Sequence, residues 1–584
     1  MTDNRLTAQT RDSALARLAL SAEPGQALDV LVIGGGVTGA GIALDATSRG
    51  LSTAVVEAQD WAAGTSSRSS KLVHGGLRYL QMLDFKLVLE ALKERDLLLT
   101  EIAPHLVRPI PFLYPLRRRV FERMFVGAGI LLYDLLASIR PGKRALPFHR
   151  HLSRKQLGET FPSLATSAAV GAIEYWDANV DDARFVLTVL RTAAGRGAHV
   201  ASRTQLVELT KNQDGAVDGA ILADLELGTT FAVKAKSVIS STGVWTEESQ
   251  SLAGEDGGLR VLASKGIHIV VPKSRISGTA GLILQTAKSV LFVIPWSRYW
   301  VIGTTDTPWT EDLMNPIATA TDIEYVLSEA NKVLAEPLTK DDVIGTWAGL
   351  RPLLQPGTKE GTQSAKVSRE HTVASPVPGL VVIAGGKFTT YRVMAKDAVD
   401  FALGKQSKTQ PSTTQKIPLV GADGYATAER ELAAVTVGLG WDSTMTDHLF
   451  HRYGANIRDI AEIALREPAL AQPLEHAPAY LRAEIAYAVT HEGALHLDDL
   501  MMRRTRIVYE YVDEGSAALP EVAVIAAELL GWTQFEQARE VTLYLERTKA
   551  DSLAALLGDD AAAANARSQA EEIVVMRDIS PQKK

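Results

Sequence analysis

The chain has 584 residues, a formal net charge of −7 at pH 7, 46% hydrophobic residues and a mean hydropathy near zero. This length exceeds one ordinary hydrophobic core, so we expect two or three domains in a folded, water-soluble protein. The absence of cysteine excludes disulfides, thiolate nucleophiles, cysteine-ligated zinc and iron–sulfur clusters. Redox chemistry would therefore need a bound organic cofactor.

Residues 1–28 carry scattered charges and no uninterrupted apolar run, so they do not resemble a secretory signal. We expect this stretch to be a disordered or loosely helical arm that precedes the first domain.

A dinucleotide-binding pattern follows the arm. The apolar run DVLVI leads directly into GGGVTG, then into a segment with helical spacing and a second strand, STAVVEA. In this pattern Gly34 permits a tight turn, Gly36 lets backbone N–H groups approach a pyrophosphate, and Gly39 lets the helix pack on the strand. Glu57 is placed to accept hydrogen bonds from an adenosine ribose. A glycine turn without a ligand would leave this carboxylate unexplained.

Two later segments favour FAD over a nicotinamide cofactor. Residues 232–246 read as a strand that runs into a turn at Gly243, and residues 379–403 as a strand, the pair Gly385–Gly386 and a helix. A cofactor domain (residues 29–410) built from distant segments around an insertion is typical of flavoproteins. A helix N-terminus near Thr389 would stabilise negative charge on a reduced flavin.

The stretch TSSRSSKLVHGGLRYL, residues 65–80, collects hydroxyls, basic side chains, an imidazole and a glycine pair. Such a concentration of donors indicates that something anionic lies against it. A phosphomonoester carries about two negative charges and favours Arg and Lys. The basic candidates near glycine turns or motif loops are Arg78, Arg351, Arg369 and Lys387.

Residues 107–155 hold eleven basic and two acidic side chains, a net charge of +9 in a chain of −7. Their sixteen-residue apolar run, residues 124–139, is interrupted by Asp134 and is shorter than the ~20 residues that span a bilayer. We expect this segment to lie on an anionic membrane surface at the cytoplasmic face of the cell membrane. A buried helix with a basic solvent face is the alternative, and the bulky aliphatic run disfavours nucleic-acid binding.

Short β-branched and aromatic runs over about residues 261–350 predict an antiparallel sheet that covers the flavin, with His268 and Thr304 on or at the ends of its strands. Residues 411–560 change to helical spacing and form a separate helical domain, for which docking or homodimer contacts are the expected role. Its histidines do not form a metal site. We expect residues 561–584 to fray.

Eight ordered motifs carry a resemblance to one family. They are IGGGVTGAGIALDATSRGL, EAQD, TSSRSSKLVHGGLRYL, VDDAR, GIHIVVP, VIGTTD, GLRPL and GGKFTTYR. Together they resemble the FAD-dependent glycerol-3-phosphate dehydrogenases over residues 29–396, and HLFHRYG and MMRRTR extend the likeness more weakly. The resemblance implies a D-amino-acid-oxidase-like FAD-binding fold of the α/β class, with an inserted antiparallel substrate sheet and a C-terminal all-α domain. It also implies oxidation of sn-glycerol 3-phosphate to dihydroxyacetone phosphate, by hydride transfer from C2 to FAD N5, with electrons passed to a membrane quinone.

The resemblance also implies residue roles. It places Arg351 at the hydride-transfer centre, where its charge would stabilise a developing alkoxide. It makes Arg78, Tyr79 and Arg369 the phosphate clamp, Thr304 a substrate contact, and Lys387 a contact to substrate or flavin. The cofactor contacts are expected to be Gly34, Gly35, Gly36, Gly39, Glu57, Thr65, Ser66, His74, Gly75, Gly243, Gly385, Gly386, Lys387 and Thr389.

The general base is left open. His268 is the first choice because an imidazole suits proton removal near neutral pH, and a structural hydrogen bond is an equal alternative for it. His74 is the second choice, with a plain flavin contact as its alternative. Two rival functions also remain: a glycerol-3-phosphate oxidase that reduces oxygen, and a non-catalytic flavin-binding protein.

Overall fold

The computed structural model describes residues 3–77, 84–138, 145–254, 259–286, 290–355 and 371–578. The predicted phosphate-clamp residues Arg78, Tyr79 and Arg369 lie outside the described residues. The strands are β1 (Leu28–Ile33), β2 (Thr53–Val56), β3 (Leu72–Val73), β4 (Arg108–Leu116), β5 (Arg150–Ser153), β6 (Gly171–Asn179), β7 (His199–Ala201), β8 (Thr204–Lys211), β9 (Val217–Asp224), β10 (Thr229–Ser240), β11 (Arg260–Pro272), β12 (Gly281–Gln285), β13 (Val290–Trp296), β14 (Tyr299–Gly303), β15 (Thr307–Pro308), β16 (Gly345–Gln355), β17 (His371–Ala374) and β18 (Leu380–Gly385).

The α-helices are α1 (Ala8–Leu20), α2 (Val37–Ser48), α3 (Phe85–Leu97), α4 (Phe121–Ala137), α5 (Arg154–Thr160), α6 (Asp182–Ala194), α7 (Thr246–Ser251), α8 (Ala320–Asn331), α9 (Tyr391–Leu403), α10 (Tyr425–Val435), α11 (Ser443–Tyr453), α12 (Ile457–Arg466), α13 (Arg482–Glu492), α14 (Ile507–Glu510), α15 (Leu519–Leu530), α16 (Gln534–Ala555) and α17 (Asp560–Arg567).

Sheet A has the order β17-β18-β10-β1-β2-β7. Its central strands β18, β10, β1, β2 and β7 run parallel. Their apolar side chains are buried on both faces, as in other parallel sheets covered by helices. The chain leaves β1 through a glycine turn and enters α2, so a helix N-terminus lies at the carboxyl edge of this sheet.

Sheet B has the order β15-β11-β14-β13-β12-β4-β6-β3, and β16 and β5 pair with β11 and β6. It contains the antiparallel strands expected near residues 261–350 and extends further, because β3 to β6 from an earlier part of the chain join it. These pairings are long-range, so the local spacing of residues could not predict them.

The N-terminal arm is helical, which was one of the two expected alternatives, but it is packed against the first domain rather than loose. Residues 8–20 form α1, with a capping box at Thr7, and Ala14 and Leu18 are buried. The buried Arg11 guanidinium lies 2.6 Å from the Asp224 carboxylate of β9. A helix this short is marginal alone, so these tertiary contacts stabilise it.

The C-terminal helices attach to the first domain through buried ion pairs. Arg184 of the VDDAR motif forms two hydrogen bonds, of 2.6 and 3.0 Å, with Glu492. Arg504 of the MMRRTR motif binds Asp60, which follows β2. Asp181 accepts hydrogen bonds from Arg452 and Arg506. Two motifs that carry the family resemblance therefore serve the junction between the domains.

Residues 561–578 are ordered rather than frayed as expected. Helix α17 packs against α16, and Arg567 forms ion pairs with Asp551 and Glu572. The chain then returns to sheet A, where the backbone of Arg577 exchanges two 2.8 Å hydrogen bonds with Gln205. Gln205 is 372 residues away from Arg577 in the chain, so local composition could not predict this contact.

Helix α4 lies within the basic apolar segment. Its side toward the protein buries Ile130, Tyr133 and Asp134. Its other side exposes 76% of Phe121 and 70% of Phe125. None of the described helices has both the length and the apolar run needed to cross a bilayer.

We predict that Arg184→Met lowers the free energy of unfolding by about 3 kcal/mol, because it leaves the buried Glu492 carboxylate with Arg191 at 3.7 Å as its nearest cation. Urea unfolding measures the change. Arg466→Met is the matched control, since Arg466 pairs with Glu462 at the surface with 77% of its side chain exposed. The control should change stability by less than about 0.5 kcal/mol, and equal effects would contradict the assignment.

Candidate functional site

The glycine turn after β1 depends on two close backbone approaches. Gly34 has a φ of +107°, which L side chains rarely adopt. A Cβ on Gly39 would lie 1.8 Å from the Gly34 carbonyl oxygen, so only glycine lets α2 pack this closely on the turn. A Cβ on Gly36 would lie 3.0 Å from Ser66 Oγ. The turn therefore puts the N-terminus of α2, a position that favours negative charge, directly beside the end of β1.

Glu57 is held behind this turn. Its two carboxylate oxygens accept hydrogen bonds from the backbone N–H groups of Gly35, at 2.6 Å, and Gln59, at 2.8 Å. Burial raises the pKa of Glu57, and these two hydrogen bonds oppose that rise. The carboxylate is fixed where the sequence pattern expects a ribose.

A cavity of about 450 Å³ lies between sheets A and B. It brings together most of the predicted residues, from segments more than 300 residues apart. Those that line it are Gly34, Gly36, Glu57, Thr65, Ser66, His74, Gly243, His268, Thr304, Arg351, Gly385, Gly386, Lys387 and Thr389.

Three predicted cofactor contacts do not line the cavity. Gly35 and Gly39 support the turn from behind, and a Cβ on Gly35 would lie 2.5 Å from the Trp61 ring. Gly75 packs against Leu92 and donates its N–H to the Tyr133 hydroxyl at 2.8 Å. Its neighbour Gly76 lines the cavity.

Residues 65–77, here called the central loop, connect both sheets. Lys71 Nζ lies 2.6 Å from the Asp182 carboxylate, which also accepts the Ser69 N–H. Lys71 is therefore neutralised within the protein and does not line the cavity. Of the basic side chains in this stretch, Lys71 is therefore not available to the anion that the sequence analysis expects against it.

Other central-loop residues reach outward to the cavity wall. Ser66 Oγ accepts the Val37 N–H of α2 at 3.0 Å, and the His74 N–H is donated to Thr389 Oγ1 at 3.2 Å. The loop thus touches both glycine turns of the predicted cofactor site.

His268 is buried on β11. Its Nε2 lies 2.8 Å from Ser70 Oγ, and its ring stacks on Trp347 with centroids 5.2 Å apart. Burial, with the positive charges of Arg351 and Lys71, holds the pKa of His268 well below its ordinary value. The imidazole is neutral near neutral pH. Its Nδ1 has no hydrogen-bond partner within the described part of the chain.

Arg351 of β16 lies beside this histidine in the same wall. Its Nη2 donates to Thr304 Oγ1 at 2.9 Å, and its Nη1 lies 3.7 Å from Asp306 Oδ1. A Cβ on Gly266 would lie 2.4 Å from Arg351 Nη2, so β11 needs glycine there to admit the guanidinium. The result is a fixed positive charge next to a neutral imidazole.

Arg68 and Asp306 are among the cavity-lining residues that the sequence did not predict. Arg68 of the central loop lines the cavity, and burial lowers its pKa. Asp306 also lines it and accepts a hydrogen bond from Ser264. Both lie inside motifs that the sequence analysis quoted, TSSRSSKL and VIGTTD, so motif membership was the available signal.

Comparison with known proteins identifies the family. Residues 29–400 match the model described as FAD dependent oxidoreductase, and residues 412–537 match the C-terminal domain of alpha-glycerophosphate oxidase. The chain is 49% identical over 545 residues to glycerol-3-phosphate dehydrogenase of Mycobacterium leprae (strain TN), covering 93% of this chain and 92% of that protein. The chain belongs to the FAD-dependent glycerol-3-phosphate dehydrogenase family.

More distant members agree with this assignment. The chain is 36% identical over 553 residues to the mitochondrial glycerol-3-phosphate dehydrogenase of Homo sapiens, covering 91% of this chain and 74% of that protein. The structure of the Bacillus halodurans enzyme complexed with FAD is similar, with a TM-score of 0.74, 31% identity, and coverage of 93% and 98% of the two chains. The family resemblance and the fold class predicted from the motifs are confirmed.

The residues of this chain fit FAD. The turn brings the N-terminus of α2 to the cavity, which suits a pyrophosphate. Glu57 offers a carboxylate where the sequence pattern expects a ribose, and Gly385 and Gly386, both with positive φ, form a turn just before α9. All these groups share one cavity with Arg351 and His268.

Proposed function

We propose that this protein oxidises sn-glycerol 3-phosphate to dihydroxyacetone phosphate and passes the electrons to a membrane quinone. The observation that carries the proposal is one cavity that holds the dinucleotide turn, Glu57, Arg351 and His268 together. The family membership of the chain supports the same substrate.

Arg351 would bind and polarise the reacting alcohol. Its guanidinium is fixed by Thr304 and Asp306, so its charge is already placed when negative charge develops on the C2 oxygen. When bound, FAD supplies the hydride acceptor. The phosphate group would lie against Arg78, Tyr79 and Arg369, an assignment that rests on the motifs alone.

His268 would take the proton of the C2 hydroxyl. The ring is held by Ser70 and Trp347, and it is neutral, so it can accept a proton. The neighbouring cations Arg351 and Lys71 disfavour an imidazolium. A bound phosphate dianion would offset that effect, so proton transfer is favoured only when substrate is present.

Reduction of the flavin tests the catalytic proposal. Mixing the wild-type holoenzyme with sn-glycerol 3-phosphate under anaerobic conditions should bleach the visible flavin absorbance. Arg351→Met should slow the bleaching by about 10²–10³-fold, because it removes the charge that stabilises the alkoxide. Arg351→Lys, which keeps the charge, should slow the bleaching less than Arg351→Met does. A wild-type flavin that the substrate does not bleach would reject the function.

We predict that His268→Gln slows flavin reduction by about 10²-fold, since it removes the proton acceptor and keeps a polar group facing Ser70. In the free enzyme the lowered pKa leaves the imidazole neutral, so the second-order rate constant for reduction at limiting substrate should not fall between about pH 8 and pH 6 on account of His268. Stopped-flow reduction rates across this range measure both effects. An unchanged rate in the variant would leave His268 only a structural role.

The exposed surface of α4 supports a membrane quinone as the electron acceptor. Phe121, Met124 and Phe125 are 69–76% exposed and lie next to the exposed Arg117, Arg118 and Arg119. Apolar side chains beside arginines favour attachment to an anionic membrane surface, which is where a quinone is found.

An oxidase that reduces oxygen is the second candidate, because residues 412–537 match a domain described from alpha-glycerophosphate oxidase. Quinone reduction without hydrogen peroxide release would separate the two.

Replacing Arg117, Arg118 and Arg119 with Glu should release the protein from anionic liposomes. Each basic side chain near such a surface contributes about 1 kcal/mol, so removing three should weaken binding by about a hundredfold or more. Co-sedimentation with vesicles that contain phosphatidylserine measures the change. The control replaces the exposed Lys405, Lys408 and Lys416 with Glu, an equal change of net charge elsewhere. Equal release by both variants would contradict attachment through α4.

A further inference from the structure

Residues 571–578, here called the strap, follow the helical domain and return to sheet A. They lie beyond the 412–537 region that matches the C-terminal family model. Glu572 fixes one end of the strap, since its carboxylate lies 2.8 Å from Arg567 Nη2 and accepts a 2.8 Å hydrogen bond from Asn315. The Ile573 side chain is buried, and its carbonyl accepts from Arg539.

The other end of the strap is fixed to β8. The Arg577 N–H donates to Gln205 Oε1, and Gln205 Nε2 donates to the Arg577 carbonyl, each at 2.8 Å. The Arg577 guanidinium also binds the Gly228 carbonyl. The strap is therefore held on both sides of Met576.

Met576 lines the cofactor cavity, as does its neighbour in space Gln205. This part of the wall is the Glu57 end, because Thr204, which precedes Gln205, donates its N–H to the Glu57 carbonyl at 2.7 Å. The side chain of Val575 is 67% exposed, so it points to solvent whereas that of Met576 points to the cavity. Met576 thus adds an apolar, polarisable side chain beside the carboxylate expected to bind the ribose.

We infer that the strap is part of the FAD site and that it holds the adenosine half of the cofactor through Met576. The inference rests on the proposed binding of FAD. A thioether makes favourable contacts with aromatic rings, and adenine is the aromatic group that a ribose bound to Glu57 would bring there. Since the strap is anchored on both sides, adenosine leaves only when those anchors open. The strap therefore acts chiefly on the rate of FAD release.

FAD release from the purified holoenzyme tests the strap, followed by the fluorescence that free FAD regains after dilution. Ending the chain after residue 570 should speed release about tenfold or more, and Met576→Ala should speed it about threefold to tenfold. Val575→Ala is the matched control and should release FAD at the wild-type rate. Glu57→Ala is the positive control, because it removes the carboxylate at the ribose position.

A second pair of variants isolates the anchor. Arg577→Pro removes the backbone N–H that Gln205 accepts, whereas Arg577→Ala keeps it, so the proline variant should release FAD faster than the alanine variant. Val575→Ala, whose side chain is exposed and does not line the cavity, should also keep the wild-type rate of flavin reduction.

The outcomes distinguish the strap from the function on which it rests. A wild-type protein that binds no flavin would reject the proposed function. A wild-type holoenzyme that is bleached by substrate, and whose strap variants all release FAD at the wild-type rate, would overturn the strap alone. Loss of FAD in Val575→Ala equal to that in Met576→Ala would also overturn it, since general loosening would then explain the effect.

Discussion

The site depends on the buried ion pair between Lys71 and Asp182. The two groups lie 2.6 Å apart, with 5% and 0% of their side chains exposed, so neither charge could stay there without the other. Lys71 adopts a φ of +57°, which turns the chain sharply within the central loop. Because this pair fixes the middle of the loop, Ser66 can meet α2 on one side while Ser70 meets His268 on the other.

This arrangement couples cofactor and substrate chemistry through one loop. The dinucleotide turn belongs to sheet A, and Arg351 and His268, the proposed reacting groups, belong to sheet B. The central loop contacts both sheets, since Thr65 Oγ1 donates to the Leu350 carbonyl just before Arg351. A small shift of the central loop would therefore move the proposed flavin and alcohol sites relative to each other. The hydrogen bonds and the ion pair that loop residues form with the surrounding elements hold the loop against such a shift.

The sequence predicted the parts of the site that depend on neighbouring residues. The turn at Gly34, the acid at Glu57 and the second turn at Gly385 follow from local spacing, and the motifs supplied Arg351 and His268. The partner of Lys71 is 111 residues away in the chain, and that of Gln205 is 372 residues away. Local patterns contain no signal for such pairs, so the partner of Lys71 was not predicted and residues 561–584 were expected to fray. Spacing alone also cannot show that Gly76, rather than Gly75, lines the cavity.

A crystal structure of the holoenzyme with bound sn-glycerol 3-phosphate would test the account most directly. The account predicts FAD in the cavity between the two sheets, its ribose on Glu57, and the C2 hydroxyl of the substrate within hydrogen-bond distance of both Arg351 and His268. The Lys71–Asp182 pair should remain intact in that complex. Substrate bound outside this cavity, or a C2 hydroxyl that contacts neither Arg351 nor His268, would contradict the account.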